Sequence, residues 1–350
     1  MELRSCRSSV NPSLPRPQWE AQVRDVCRAL VSGWSDLGDD DLAISEISGG
    51  ITNLLLKVLD KKQNEAVTVR IFGPNTDAVI DRKRELQVLP HLSESDFGAK
   101  LVGLFENGMI QSFIEARTLV PVDLSKPNVA SLIAKELRRL HSLQIPGSKE
   151  PQLWEDILKF YDKARLVSFE DNAKQERLGE VSFSRLMDDI KMLKGISDSL
   201  KAPIVFSHND LLSGNIMLNE ASGRLHLIDF EYGSYSYRGY DIGNHFNEYA
   251  GFECDYSLYP NKEAQYHFFR HYLSPIDPSK VSDDELEVLF VETNFYALVS
   301  HLYWAIWAIV QAKFSPINFD YLGYHCLRYK EYERRKKELA VFSIVNICKQ

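Results

Sequence analysis

His208, Asp210 and Asn215 fall within eight residues of Val205-Phe-Ser-His-Asn-Asp-Leu-Leu-Ser-Gly-Asn-Ile-Met-Leu218, and Asp229 and Glu231 close the next apolar run, Leu225-His-Leu-Ile-Asp-Phe-Glu231. Carboxylate and amide oxygens are the hard donors that Mg²⁺ prefers, and such an ion is usually shared with substrate phosphates. A spare carboxylate beside the metal can take a proton from an attacking hydroxyl. The elements that must bring these groups together are two short strands, Asn215–Leu218 and Leu225–Ile228, around a Gly-containing turn. Asp210 and Asn215 then lie on the loop entering the hairpin and Asp229 on its exit, so the three converge. Taken singly, each would be a solvated polar residue; the combined spacing is what points to chemistry.

The H-x-D-x4-N pattern with an Asp-Phe pair downstream resembles the catalytic loop and metal-binding Asp of protein-kinase-like phosphotransferases. Protein kinases themselves read H-R-D and D-F-G. Here the strings are His208-Asn-Asp210 and Asp229-Phe-Glu231, which points to small-molecule kinases instead.

The chain has 350 residues, enough for one large or two medium domains. It is 44% hydrophobic and 26% charged, ordinary for a globular protein. Forty-one basic and 49 acidic side chains leave a net charge of −8, which argues against a nucleic-acid binder. Five scattered cysteines (Cys6, Cys27, Cys254, Cys326, Cys348) form no C-x2-C pair. A disulfide scaffold or structural zinc is therefore not expected, and a reducing, cytoplasmic location fits. Leu298–Val310 is the most apolar stretch, but it contains His301 and is too short to span a bilayer, so no transmembrane segment is expected. No apolar signal-peptide core precedes Pro17.

In chain order, residues 1–17 read as a disordered leader, residues 18–114 as an N-lobe and residues 115–350 as a C-lobe. Gln18–Trp34 has a helical period ended near Gly33, and Leu42–Ile47, Leu54–Leu59 and Ala66–Phe72 read as strands of an antiparallel meander. Gly49 and Gly50 sit between two strands and do not open a helix, so they are not a Walker A loop. A glycine hairpin can instead bring backbone N–H groups close to phosphate oxygens, with Thr52 and Asn53 adding donors, although a Gly-Gly pair alone is usually only a turn. Arg70 stands mid-strand, where the simplest expectation is a solvated residue. In a kinase-like lobe that strand carries the cation that grips phosphates and pairs with a helical Glu, for which Glu85 in the helical stretch Asp77–Leu92 is the candidate. Lys100–Leu104 and Met109–Ile114 read as two further strands. The second would run into a hinge whose main chain, between Gln111 and Ile114, holds adenine. Beyond residue 115, helical periods cover Asn128–Leu143, Leu153–Phe169, Phe183–Leu200, Asp283–Lys313 and Phe319–Leu339, the last with a basic run, Arg334–Lys337, expected on a solvated face. The fold class is α+β, a two-lobed protein-kinase-like fold with an antiparallel-sheet N-lobe and a mainly helical C-lobe, the active site lying in the cleft between lobes.

Several longer strings resemble the choline/ethanolamine kinase family: Ser48-Gly-Gly-Ile-Thr-Asn53, Val69-Arg-Ile-Phe-Gly73, His208-Asn-Asp-Leu-Leu-Ser-Gly-Asn215, Ile228-Asp-Phe-Glu-Tyr-Gly233, Arg238-Gly-Tyr-Asp-Ile-Gly-Asn-His-Phe-Asn-Glu248 and Trp304-Ala-Ile-Trp307. The match covers essentially everything after residue 40. The resemblance implies ATP-dependent phosphorylation of an amino-alcohol hydroxyl, with Asp210 as base, Asn215 and Asp229 on Mg²⁺, Glu231 at the family's D-x-E position and His208 supporting. It also implies that Glu248, Tyr232, Trp304, Trp307, Phe319 and Tyr324 hold the substrate's cationic head, as aromatic faces and a carboxylate attract ammonium. Without the family, Trp304 and Trp307 would read as an i, i+3 pair in the core.

Leu211-Leu212 and His245-Phe-Asn-Glu-Tyr-Ala-Gly251 resemble the ethanolamine kinases of the family, and Glu253 stands where choline kinases place a cage tyrosine. Ethanolamine offers three N–H donors and choline none, so a hydrogen-bonding site favours the former. The expected activity is ethanolamine phosphorylation, the entry step of phosphatidylethanolamine synthesis by the cytidine-nucleotide route. Choline or dual specificity is the alternative, and an inactive binding module would require loss of Asp210, Asn215 or Asp229. The expected partner is a small molecule and no nucleic acid; a homodimer is open by analogy alone.

Overall fold

The computed structural model describes residues 4–47, 53–73 and 80–347, with side chains to residue 338. Gly49, Gly50 and Thr52 therefore lie outside the described residues. The chain divides into two compact units, Met1–Thr76 with Leu86–Ala116, and Asp77–Glu85 with Arg117–Gln350.

The first unit is built on a six-stranded sheet of β1 (Arg4–Ser5), β2 (Leu42–Glu46), β3 (Asn53–Asp60), β4 (Glu65–Phe72), β5 (Leu101–Phe105) and β6 (Gly108–Ser112), in the order β1-β5-β6-β4-β3-β2. All pairs are antiparallel except β1 with β5. Strand alternation puts Leu56 and Val58 of β3 and Val67, Val69 and Ile71 of β4 in the core. The turn between β3 and β4 is closed by Asn64, whose φ of 55° is left-handed backbone that Asn tolerates. Helix α1 (Arg16–Leu30) lays Val23, Val26, Cys27 and Leu30 onto that core, one stripe of a 3.6-residue period.

The expected disordered leader is corrected here. Beyond β1, the Cys6 N–H donates to the Leu104 carbonyl at 3.0 Å, and Val10 is 1% exposed in the same core. Asn107 clasps Val10 by accepting its N–H (2.9 Å) and donating to its carbonyl (2.7 Å). Order in this segment comes from partners about a hundred residues away, which no local pattern reveals.

The second unit is mainly helical. It holds the start of α2 (Arg82–Glu94), then α3 (Pro121–Leu124), α4 (Pro127–His141), α5 (Leu153–Ala164), α6 (Asn172–Gly179), α7 (Phe183–Leu200), α8 (Arg238–Asn247), α9 (Lys262–Leu273), α10 (Asp283–Phe314) and α11 (Tyr321–Ile347). Two small sheets accompany them: β7 (Arg117–Thr118) with β9 (Ile216–Asn219) and β10 (Arg224–Leu227), and β8 (Ile204–Ser207) with β11 (Ser234–Tyr237). Helix α10 starts in a capping box, where Ser282 Oγ accepts the Glu285 N–H and Glu285 Oε2 accepts the Ser282 N–H.

At 32 residues α10 is long and apolar enough to cross a membrane, which the shorter Leu298–Val310 stretch is not. Eighty-nine per cent of its apolar window is buried, so it is the helix around which this unit packs. Helix α8 lies against it because Gly239 and Gly243 offer no side chain. A Cβ on Gly243 would meet the Thr293 carbonyl oxygen at 2.6 Å and the Ala297 nitrogen at 2.7 Å.

The basic run on α11 also departs from expectation. Arg334 and Lys337 are exposed, but Arg335 lies 3.6 Å over the Tyr259 ring and pairs with Glu331, and Lys336 pairs with Asp189. Four consecutive residues span a whole helical turn, so part of the run must face inward.

Candidate active site

Strand β8 delivers the chain into the loop His208–Leu212, a short 3₁₀ turn (Ser213–Asn215) follows, and the β9–β10 hairpin returns it to Asp229. Asn215 donates from Nδ2 to the Asp210 main-chain carbonyl (2.8 Å) and to Asp210 Oδ2 (3.1 Å). The Asn215 carbonyl accepts the Ile228 N–H at 2.9 Å, tying the turn to the residue before Asp229. Asn209 and Asp229 both have left-handed backbone, φ 64° and 61°.

A carboxylate that the sequence reading did not single out holds this loop in place. Asp241, fully buried on α8, accepts the His208 N–H on Oδ2 (2.8 Å) and the Asn209 N–H on Oδ1 (2.7 Å). His141 Nε2 donates to the same Oδ2 at 2.8 Å. Burial opposes ionisation of Asp241, but the hydrogen bond and charge of His141, with His208, hold it below the usual carboxylate range. His245 Nδ1–H donates to the Leu211 carbonyl (2.8 Å), Asn244 Nδ2 to the Asn209 carbonyl (3.2 Å), and His208 Nε2–H to the Ile228 carbonyl (2.9 Å). Asn209 Nδ2 donates to Tyr232 O and Ser234 Oγ, both at 2.9 Å. The signal in the sequence was the row of polar residues Asp241, Asn244, His245 and Asn247, on a short helix with two glycines, and Glu248 just after it.

Burial, and then the negative charges of Glu248, Asp229 and Glu231, push the Asp210 carboxyl well above its ordinary value; the Asn215 amide opposes this. A carboxylate so placed is a stronger proton acceptor than a solvated one. Because Asn215 spends its Nδ2 on Asp210, its Oδ1 is left as an oxygen donor, and with the Asp229 carboxylate it makes a hard-oxygen pair suited to Mg²⁺. Among the described residues no group of three or more His, Cys, Asp or Glu forms a closed metal cage. An ion held here would draw its other oxygens from phosphates and water. Glu231 Oε2 is 3.4 Å from Arg82, which also pairs with Glu85 at 2.6 Å.

The six expected head-group residues fall into one connected set. Trp307 Nε1 donates to the Tyr232 hydroxyl at 2.8 Å, and Trp304 Nε1 to Asn244 Oδ1 at 2.7 Å. Edge-to-face contacts run Tyr232–Trp304 (5.4 Å), Trp304–Trp307 (5.1 Å), Trp307–Tyr321 (5.8 Å), Tyr321–Phe319 (4.9 Å) and Phe319–Tyr324 (5.9 Å). Glu248, 8% exposed, joins them through Arg328, whose Nη1 donates to Glu248 Oε1 (3.1 Å) and the Tyr324 hydroxyl (3.0 Å). Glu253 does not join: it is exposed, and its neighbour Phe252 packs on Phe319 instead. A cavity of ≈ 440 Å³ in this unit touches Tyr232 alone of the expected site residues; Arg82, Lys83, Arg84, Lys159 and Lys163 outnumber Asp81 and Asp156 in its lining, so its charge balance does not suit a cation.

In the first unit Asn53 opens β3, and Arg70, in the middle of β4, is 5% exposed rather than solvated. Gln111 is paired on both sides, with Thr68 and Leu101, whereas Ile114 stands beyond the end of β6.

Residues 44–333 match the family model described as choline/ethanolamine kinase. The chain belongs to the choline/ethanolamine kinase family. "Probable ethanolamine kinase" of Arabidopsis thaliana is 56% identical over 339 residues, 96% of this chain and 90% of that protein. "Probable ethanolamine kinase A" of Dictyostelium discoideum is 43% identical over 313 residues, 88% of this chain and 89% of that protein. Among solved structures, an ethanolamine kinase of Plasmodium vivax superposes with a TM-score of 0.80 at 29% identity, covering 95% of this chain and 98% of that one. The protein-kinase-like α+β fold expected of a choline/ethanolamine kinase is thus the one adopted.

Proposed function

We propose that this choline/ethanolamine kinase is an ethanolamine kinase, an ATP-dependent phosphotransferase that converts ethanolamine to phosphoethanolamine, the entry step of phosphatidylethanolamine synthesis by the cytidine-nucleotide route. One observation carries the substrate reading. Glu248 is buried, accepts from Arg328 on Oε1 and has no partner on Oε2 among the described residues, so a carboxylate oxygen is left for a ligand N–H beside a chain of aromatic rings. Ethanolamine's ammonium can fill that place by hydrogen bond and cation–π attraction together; trimethylated choline can use only the rings. The relatives named above as ethanolamine kinases support the same substrate.

Asp210 receives the proton of the substrate hydroxyl as that oxygen attacks the γ-phosphorus and the bond to the bridging oxygen breaks, releasing ADP. Asn215 holds Asp210 in place, and Asp241 and His245 fix the loop that carries it. Asn215 Oδ1 and Asp229 are the groups to hold Mg²⁺, which when bound offsets phosphate charge. Arg70 and Asn53 are assigned to ATP phosphates and the main chain at Ile114 to adenine. The four described cysteines are free thiols, in keeping with a cytoplasmic enzyme.

The test is ADP release by purified protein with Mg²⁺ and ATP, given ethanolamine, choline or no acceptor. The expected kcat/KM for ethanolamine exceeds that for choline by about 10-fold or more, the scale of one hydrogen bond to a charged group. Preference for choline would make the rings the deciding contact. Turnover with neither would remove the activity altogether.

A further inference from the structure

Arg328 on α11 is 1% exposed, and it is the one cation bonded to the carboxylate of the proposed ammonium pocket among the described residues. A buried guanidinium beside a site for a cation is paradoxical unless it does something for that carboxylate. Its contacts show what. Nη1 reaches Glu248 Oε1 (3.1 Å) and the Tyr324 hydroxyl (3.0 Å), and Nη2 reaches Ser300 Oγ (3.1 Å) and the Ser300 carbonyl (3.4 Å). Ser300 Oγ in turn donates to Asn244 Oδ1 at 2.8 Å, and Asn244 Nδ2 donates to the carbonyl of Asn209, the residue before Asp210. The same Asn244 Oδ1 also accepts the Trp304 indole N–H at 2.7 Å. One buried hydrogen-bonded path therefore runs from Glu248 through Arg328, Ser300 and Asn244 to the loop bearing Asp210.

We propose that Arg328 is a positioning residue for the amine: it ties Oε1 of Glu248 into the protein, presents Oε2 to the substrate ammonium, and sets the distance from that grip to Asp210. The inference rests on the ethanolamine-kinase reading. A rigid path of this kind suits a substrate whose ammonium and hydroxyl stand a fixed two carbons apart, because both ends must be met at once. Arg rather than Lys fits the task, since a planar fork can serve Glu248 and Ser300 simultaneously.

The charge of Arg328 matters as well as its geometry. Burial holds the Glu248 carboxyl above its ordinary value, and Arg328 offsets part of that rise. Of the other groups whose charges bear on this pair, Asp210 faces Glu248, Cys254 and Tyr324 face both Glu248 and Arg328, and Tyr256 faces Arg328. His301 on α10 is buried with neither ring nitrogen bonded, and burial, then Arg328, holds it well below its ordinary value, so it adds no charge of its own.

The experiment is steady-state kinetics of wild type, Arg328→Lys and Arg328→Met, varying ethanolamine and ATP separately, with the melting temperature of each protein recorded. Wild-type turnover of ethanolamine tests the parent reading alone. The variants test this one. Arg328→Met is expected to raise KM for ethanolamine by about 30-fold, the scale of one charge-assisted hydrogen bond, while KM for ATP stays within about 3-fold. Arg328→Lys, which keeps the charge but not the fork, is expected to recover only part of that loss. In Arg328→Met, KM for ethanolamine should also fall with rising pH more steeply than in wild type, because Glu248 without its partner must lose its proton to bind. An unchanged KM for ethanolamine, or equal rises in both KM values, overturns the proposal. If Arg328→Met does not fold, Arg328→Lys, Glu248→Gln and the double variant decide it. Effects that fail to add support action through Glu248, and additive effects refute it.

Discussion

Replacing Asp241 by Asn leaves the number of non-hydrogen atoms in the side chain unchanged, yet it should damage both the fold and the loop that carries Asp210. The carboxylate has two acceptor oxygens, one taking the His208 N–H and His141, the other taking the Asn209 N–H, all between 2.7 and 2.8 Å. An amide offers one oxygen, so its NH₂ must face a buried N–H donor on the other side, and the charge that strengthens all three bonds is gone. A hydrogen bond to a charged group contributes roughly 1.5–3 kcal/mol, and losing one outright while weakening two puts the loss at about 3–5 kcal/mol. That is a large share of a stability of about 5–15 kcal/mol. Urea unfolding followed by tryptophan fluorescence reads this directly, and kcat with ethanolamine reads the loop. A displacement of Asp210 of about 1 Å should lower kcat by about 100-fold. An Asp241→Asn protein with the wild-type urea midpoint and wild-type kcat would refute the reasoning that this carboxylate holds the loop.

Gly243→Ala should cost about 1–3 kcal/mol, because the new Cβ meets backbone of α10 at 2.6 and 2.7 Å and backbone cannot step aside. Gly195→Ala on α7, where a Cβ meets nothing within 4 Å, should instead gain up to about 1 kcal/mol; urea midpoints that rank the two the other way contradict the packing described. His245 supplies a pH dependence. Burial among Phe246, Tyr249 and Phe268 lowers it to about 4, so between its ordinary value of 6.5 and that value the unfolded chain binds a proton that the folded one does not. Its contribution is fully present above the ordinary value and is lost on acidification, by about 2 kcal/mol near pH 5. His245→Asn should therefore lose about 2 kcal/mol less than wild type between about pH 7.5 and 5. Equal losses of stability in the two proteins across that range would show that His245 takes no part.

What could be read in advance follows from where each feature's partners lie. Strands β3 and β4 alternate, and α7 carries its own period from Phe183 to Leu200, so local pattern suffices for them. Asp210, Asn215 and Asp229 were visible because the hairpin that gathers them is a single short stretch. Helix α8 was not: every residue from Gly239 to Asn247 is buried, so no polar face marks a period. Asp241 and Arg328 are polar residues remote in sequence from the groups they hold, and only folding brings them there. The order of residues 4–15 depends in the same way on β5 and Asn107. Resemblance to the family supplied the residues proposed for the head group, but it attached no role to Arg328, and Glu253, which it set beside them, lies at the surface.

The most direct test of the central claim is phosphorus NMR of ATP and ethanolamine incubated with Mg²⁺ and either wild-type protein or Asp210→Asn. A phosphoethanolamine resonance should grow with ADP in the wild type, and the rate should be lower by about 100- to 10,000-fold in the variant at an unchanged melting temperature, the scale of a lost general base. A folded Asp210→Asn protein that forms phosphoethanolamine at the wild-type rate would contradict the claim.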